Sequence, residues 1–118
     1  MKMKNDFVEL NVILIGFNRP DKFEAVLKKT LICGISNIWI SIDGPRNDND
    51  LDPVNIKDIK NLILNYEKKF NIQFKKNFED SNLGCKKNVI KSVSAVLEVS
   101  EHCIILEDDC VPSINFFR

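Results

Sequence analysis

Apolar runs of β character alternate along the chain with segments whose apolar residues recur at helical spacing. Asn11-Val-Ile-Leu-Ile-Gly-Phe17 is a continuous apolar run closing on Asn18-Arg19-Pro20, the pattern of a strand buried on both faces and ended by a turn. Pro20 suits the first turn of a following helix, with Phe23, Val26, Leu27 and Leu31 along one stripe and Cys33-Gly34 as its stop. Asn37-Ile-Trp-Ile-Ser-Ile-Asp43 is rich in β-branched and aromatic residues and ends at Gly44-Pro45, a second strand followed by a breaker. The polar stretch from Arg46 to Pro53 reads as a surface loop able to lie over a ligand. From Val54 to Phe70 the residues Ile56, Ile59, Ile63, Tyr66 and Phe70 mark a second helix, with Lys68-Lys69 near its C-terminus, where cations are favoured.

Asn71-Ile-Gln-Phe-Lys75 alternates apolar and polar residues and predicts a peripheral third strand. Ser81-Asn-Leu-Gly84 offers capping residues ahead of a third helix, whose stripe of Val89, Ile90, Val93, Val96 and Leu97 runs to about Ser100. Cys103-Ile-Ile-Leu106 is the last strand and leads directly into Glu107-Asp108-Asp109. Strands alternating strictly with helices predict an α/β fold: a three-layer, Rossmann-like parallel sheet with right-handed crossovers and helices on both faces. With the first strand central and the third peripheral, the strand order is 3-2-1-4, and ligands are expected at the strands' carboxyl ends. Those ends carry Asn18-Arg19, Asp43-Gly44 and Glu107-Asp108-Asp109.

Composition narrows the function classes. The 118 residues make one domain's worth of chain, and 44% hydrophobic with 29% charged residues excludes disorder and fibrous repeats. Seventeen basic residues against 17 acidic ones leave no broad field for nucleic acid or an anionic membrane, and the lysine pairs at 28–29, 68–69, 75–76 and 86–87 are scattered over different elements, so nucleic-acid binding is not indicated. The longest early apolar run, Val12 to Phe17, is too short for an export signal, and no run approaches a membrane span, so the expected location is cytoplasmic. Cys33, Cys85, Cys103 and Cys110 form no C-x-x-C pair and are expected as reduced core thiols.

The candidate chemistry lies at the strand ends. Two carboxylates about 4 Å apart repel by roughly 4 kcal/mol at an effective dielectric near 20, so Glu107-Asp108-Asp109 after a buried strand invites a bound cation. Oxygen ligands suit Mg²⁺ or Mn²⁺, with ligand phosphates completing the shell; the alternative is a solvated acidic turn. Arg19 suits a phosphate partner, Asp43 can accept from a base or ribose, and Lys86 with Lys87 adds charge to a helix N-terminus that already favours anions. Each has a plain structural alternative: an unpartnered surface arginine, a simple turn, a solvated helix face. Neither G-x-G-x-x-G nor G-x-x-x-x-G-K-[ST] is present, His102 has no Ser or Cys elbow near it in sequence, and a receiver domain would need an acidic pair where Phe17-Asn-Arg19 stands.

Four segments, Ile13-Leu-Ile-Gly-Phe-Asn-Arg-Pro20, Ser41-Ile-Asp-Gly-Pro45, Asn82-Leu-Gly-Cys-Lys86 and Ile105-Leu-Glu-Asp-Asp-Cys-Val-Pro-Ser-Ile-Asn-Phe-Phe117, together resemble the nucleotide-sugar-binding half of GT-A glycosyltransferases, of the N-acetylglucosaminyltransferase I-like and family 2-like kind. The resemblance runs from about Val12 over nearly the whole chain. It implies that Glu107-Asp108-Asp109 corresponds to the D-x-D-type motif, with Asp109, and Glu107 beside it, on the divalent metal and Asp108 on the ribose or sugar. It also implies that Asn18, Arg19, Asp43 and Lys86 hold the nucleotide-sugar. The implied reaction moves a sugar from a UDP-linked donor to an acceptor hydroxyl on a glycan or another molecule, with Mn²⁺ or Mg²⁺ at the departing diphosphate. Family members continue into an acceptor-binding half that supplies the catalytic base, so no base is assigned here, and the chain reads as a donor-binding domain truncated before that half, with little transfer activity alone. The apolar residues from Val111 to Phe117 are expected to favour self-association. Two alternatives stand beside this reading: a non-catalytic nucleotide- or metal-binding module of the same fold, and a nucleotidyltransferase, which would need a glycine-rich loop where only Gly16 occurs.

Overall fold

The computed structural model describes residues 10–113 and 115–117; residues 1–9, Ile114 and Arg118 lie outside them. The elements in chain order are β1 (Val12–Gly16), α1 (Pro20–Ile32), β2 (Ile38–Ile42), α2 (Leu51–Phe70), β3 (Lys75–Phe78), α3 (Cys85–Leu97) and β4 (Ile104–Glu107). The four strands form one all-parallel sheet in the order β3-β2-β1-β4, as the alternation predicts. In register, Leu14 lies opposite Ile40 on one side and Leu106 on the other.

The period of two along β1 and β2 divides the apolar residues between two layers. Val12, Leu14, Ile38, Ile40 and Ile42 face α1 and α2, where they join Phe23, Val26, Leu27, Ile56, Ile59 and Ile63 in the larger core. Ile13 and Ile15 point the other way and meet Val96 of α3, with Trp39, Val89 and Val93 at the margin. Among the described residues, no helix is long and apolar enough to cross a membrane.

Several boundaries differ from the sequence expectation. The third strand is Lys75–Phe78, overlapping the expected Asn71–Lys75 at one residue. Asn71 instead ends α2 in the left-handed conformation, at φ 52°, and Ile72 N–H returns to the Glu67 carbonyl. The alternation seen there is burial without pairing: Phe74 is buried and its N–H donates to the Glu67 carboxylate. The strand is an edge all the same, paired with β2.

Helix α2 begins at Leu51, three residues before the apolar stripe does, because Asn49 Oδ1 accepts the N–H groups of Leu51 and Asp52. The third helix stops at Leu97, short of Ser100, and no side chain caps its start. The last strand is shifted by one residue, so that Glu107 pairs within the sheet opposite Ile15. The four cysteines are unpaired, but they are not core residues: Cys85 and Cys110 are exposed, and Cys33 and Cys103 are half-buried. Each of them lies at or just beyond the end of an element, outside the packed middle of the sheet. At the C-terminal end, Val111 and Phe116 are about half exposed, while Phe117 packs partly on the larger core.

Candidate functional site

A cavity of about 440 Å³ opens at the carboxyl ends of β1, β2 and β4. From β1 and the turn after it come Gly16, Phe17, Asn18 and Arg19; from β2 and its loop, Asp43 and Arg46; from β4, Glu107 and Asp108. The start of α3 closes the remaining side through Asn82, Gly84, Cys85 and Asn88. Of the residues singled out in the sequence, Asn18, Arg19, Asp43, Glu107 and Asp108 are thus brought together. Lys86 and Asp109 are exposed beside the cavity without lining it.

Asp43 holds the cavity's wall in place. It is 4% exposed, and its carboxylate accepts hydrogen bonds from the N–H of Gly44 (2.8 Å), Leu83 (2.8 Å) and Gly84 (3.0 Å) and from Asn82 Nδ2 (3.3 Å). The two residues that lead into α3, Leu83 and Gly84, are thus fixed from the end of β2, forty residues earlier in the chain. Two glycines permit the approach. A Cβ on Gly44 would lie 2.5 Å from the Ser81 carbonyl carbon, and Gly84 sits at φ 89° and ψ 153°, a region that is essentially glycine's own.

Arg46 and Asp52 make a second clamp, which the sequence reading did not identify. Asp52 is fully buried, and Arg46 grips it with Nε at 2.8 Å and Nη2 at 3.0 Å, while Arg46 N–H and Asn18 Nδ2 each add a bond at 3.0 Å. The guanidinium also lies 5.4 Å from the centre of the Phe17 ring. Arg46 holds the Asp52 carboxyl well below the usual carboxylate range, with Asn18 helping and burial opposing. The only sequence signal was an arginine six residues ahead of an aspartate in a polar loop, which does not distinguish a clamp from solvated charges.

The acidic triplet divides. Asp108 is buried at 7% exposure, and Arg19 Nη2 donates to its Oδ1; Glu107 and Asp109 are exposed. The repulsion expected of three adjacent carboxylates is therefore relieved in part from within the chain. Hydrogen bonding to Asp108 raises the Arg19 pKa above its ordinary value, with Asp109 and Glu107 adding to the effect, so the guanidinium stays charged. Asp109 accepts from the Cys110 thiol at 3.4 Å and pushes that thiol's pKa up, which keeps Cys110 protonated and a poor nucleophile.

Among the described residues, no three His, Cys, Asp or Glu side chains converge as a metal cage. Glu107 and Asp109 are the exposed carboxylates of the triplet, oxygen ligands of the kind that a hard divalent cation takes with phosphate and waters completing its shell. Asp108 does not belong to that set, being engaged by Arg19. Comparison of the chain with family models, with curated protein sequences and with solved structures gave no match.

Proposed function

We propose that the chain is the donor-binding domain of a metal-dependent GT-A-type glycosyltransferase, taking a nucleotide-diphospho-sugar, with UDP as its nucleotide, into the cavity at the carboxyl ends of the strands. The observation that carries this reading is the convergence on one cavity of two arginines, the start of α3 and the open carboxylate of Glu107, with Asp109 beside it. A cation held by Glu107 and Asp109 would supply charge neutralisation to a departing diphosphate. Arg19, kept charged and oriented by Asp108, would meet phosphate or ribose oxygens with the guanidinium nitrogens that Asp108 leaves unoccupied. Asp43 takes a supporting role, since its oxygens already accept from Gly44, Asn82, Leu83 and Gly84. The acceptor is a hydroxyl group on a glycan or another molecule, and the apolar surface around Val111 and Phe116 would be covered by a second copy of the chain. A cytoplasmic location belongs to the same reading.

One observation favours a second reading, a non-catalytic nucleotide- or metal-binding module. The buried carboxylates at and beside the cavity, Asp43, Asp52 and Asp108, are all engaged within the chain, so among the described residues no unengaged buried carboxylate faces it. Thermal shift with UDP and other nucleoside diphosphates, with and without Mn²⁺, tests both readings. Ligand at 100 times its Kd adds about 2.7 kcal/mol of stability. A UDP shift that needs Mn²⁺ and disappears in Asp109→Ala supports the donor site, and turnover restored by an added acceptor-binding partner separates enzyme from module. Absence of a shift with every nucleotide rejects the donor site.

A further inference from the structure

A second cavity lies on the α3 side of the sheet, toward the β3 edge. Helix α3 packs on β1 and β2, and about 250 Å³ of space remains between it and β3. No residue lines both this cavity and the one at the strand ends. Its floor follows from the register, since facing positions of a parallel sheet share a face: Ile13, Trp39 and Lys75 form one row, and Ser41 with Asn77 part of the next. Its wall is Lys91, Ser92 and Ala95 of α3. Trp39 is half-buried, and Asn11 Oδ1 accepts its Nε1–H at 3.0 Å, which fixes the indole. Lys75 Nζ stands over that ring, 5.3 Å from its centre. Charge in this cavity is of one sign: three lysines and no acidic residue line it. Lys76 is paired with Glu67 and Lys91 with Glu79, whereas Lys75 donates to the neutral Asn37 Oδ1 at 3.0 Å and has no carboxylate partner among the described residues.

The geometry points to a second binding site, for a small aromatic acid whose ring lies on Trp39 between β3 and α3 and whose carboxylate meets Lys75. A cavity of this volume is smaller than those that hold drug-sized ligands, which limits its occupant to about one ring. A planar ring suits a fixed indole, because offset stacking adds to what burial alone contributes. One unpaired ammonium suits one negative charge, and a carboxylate there exchanges the neutral Asn37 oxygen for a charge-assisted bond, roughly twice as strong. The absence of any acidic side chain from the lining means that nothing within the cavity opposes the anion. The inference does not depend on the donor-binding reading, since the two cavities share no residue.

Trp39 is the chain's single tryptophan, so its emission reports on this cavity directly. Titration of the whole chain with benzoate should give a saturable change in that emission. Benzyl alcohol has the ring without the charge and acetate the charge without the ring, and each should bind at least about tenfold more weakly. Lys75→Met keeps an apolar stem but removes the ammonium, and should weaken benzoate by about tenfold. Ala95→Leu puts a larger side chain on the cavity wall at a helix position that favours leucine, and should abolish saturation. Both positions are exposed, and circular dichroism checks that each variant folds. Saturable benzoate binding in that order of ligands, weakened by both variants, supports the site. A linear, unsaturable change in emission overturns it, as does equal affinity for benzoate and benzyl alcohol, or benzoate binding that either variant leaves unchanged.

Discussion

The two faces of the sheet do different work. Under α1 and α2 lies a continuous apolar layer in which Leu14, Phe23, Val26, Leu27, Ile40, Ile42, Ile59 and Ile63 are nearly or completely buried. Under α3 the fully buried apolar residues are Ile13 and Val96, with Ile15 close to that, and two of the helix's three buried residues, Asn88 and Ser92, are polar. The first face is held by area removed from water, at about 25 cal/mol per Å². The second is held in good part by specific bonds: Asp43 to the α3 start, and Ser41 to Asn88. The face with less apolar packing is the one that carries the cavity, because donors and acceptors available to a ligand cannot lie inside a dry layer. In this protein the bonds that dock α3 also build the site.

That contrast can be broken from either side. The largest effect is expected from Phe23→Ala, which empties the thick layer beside Gly16 and should cost about 3–5 kcal/mol in a denaturant melt, with all elements lost together. A loss below about 1 kcal/mol would show that this face does not carry the fold. Next is Asp43→Ala, which leaves the Leu83 and Gly84 N–H groups without their acceptor and should cost about 3 kcal/mol. Hydrogen exchange should then show α3 losing protection before β1 and α1 do; uniform loss would contradict the division of labour. Val96→Ala, in the thin layer, is expected to cost about 2 kcal/mol, less than Phe23→Ala because fewer carbon atoms leave the core.

A smaller effect should depend on pH. The Asp52 carboxyl titrates below its ordinary range when folded, so its contribution is complete above the unfolded value near 4 and declines as pH falls from there toward the lower folded value. Urea melts between pH 6 and about pH 2 should show that decline, and Asp52→Asn should flatten it. The smallest effect is that of Lys91→Ala. Its ion pair with Glu79 holds a side chain that is 56% exposed, and the loss should stay under about 0.5 kcal/mol and shrink further in high salt.

How much of this was legible in the chain varied with the range of the interaction. The runs at Val12–Gly16 and Ile38–Ile42 announced themselves because a strand buried on both faces admits few polar residues, and the helical stripes did so because i, i+3 and i+4 neighbours share a face. Where the local pattern had two solutions, it misled. Ile72 and Phe74 alternate like a strand, yet the left-handed turn at Asn71 uses them to return the chain from α2. Arg19, Asp43 and the triplet at 107–109 were found because strand ends are recognisable positions. Arg46, Asp52 and Asn88 were not placed in the site, because an arginine in a polar loop and an asparagine on a helix have no local mark of function.

The sequence by itself determined the alternation of strands and helices, the parallel sheet in the order 3-2-1-4 and the edge at which polar residues gather, since each follows from periodicity and the handedness of crossovers. Tertiary structure alone decided which of those polar residues remain available. Whether a carboxylate faces a ligand or a partner depends on groups far away in the chain: Arg19 reaches across 89 positions to Asp108, and Asp43 across 40 to Leu83. Local spacing does not encode such pairings, because a buried charge is satisfied by whatever the packed fold brings within hydrogen-bond distance.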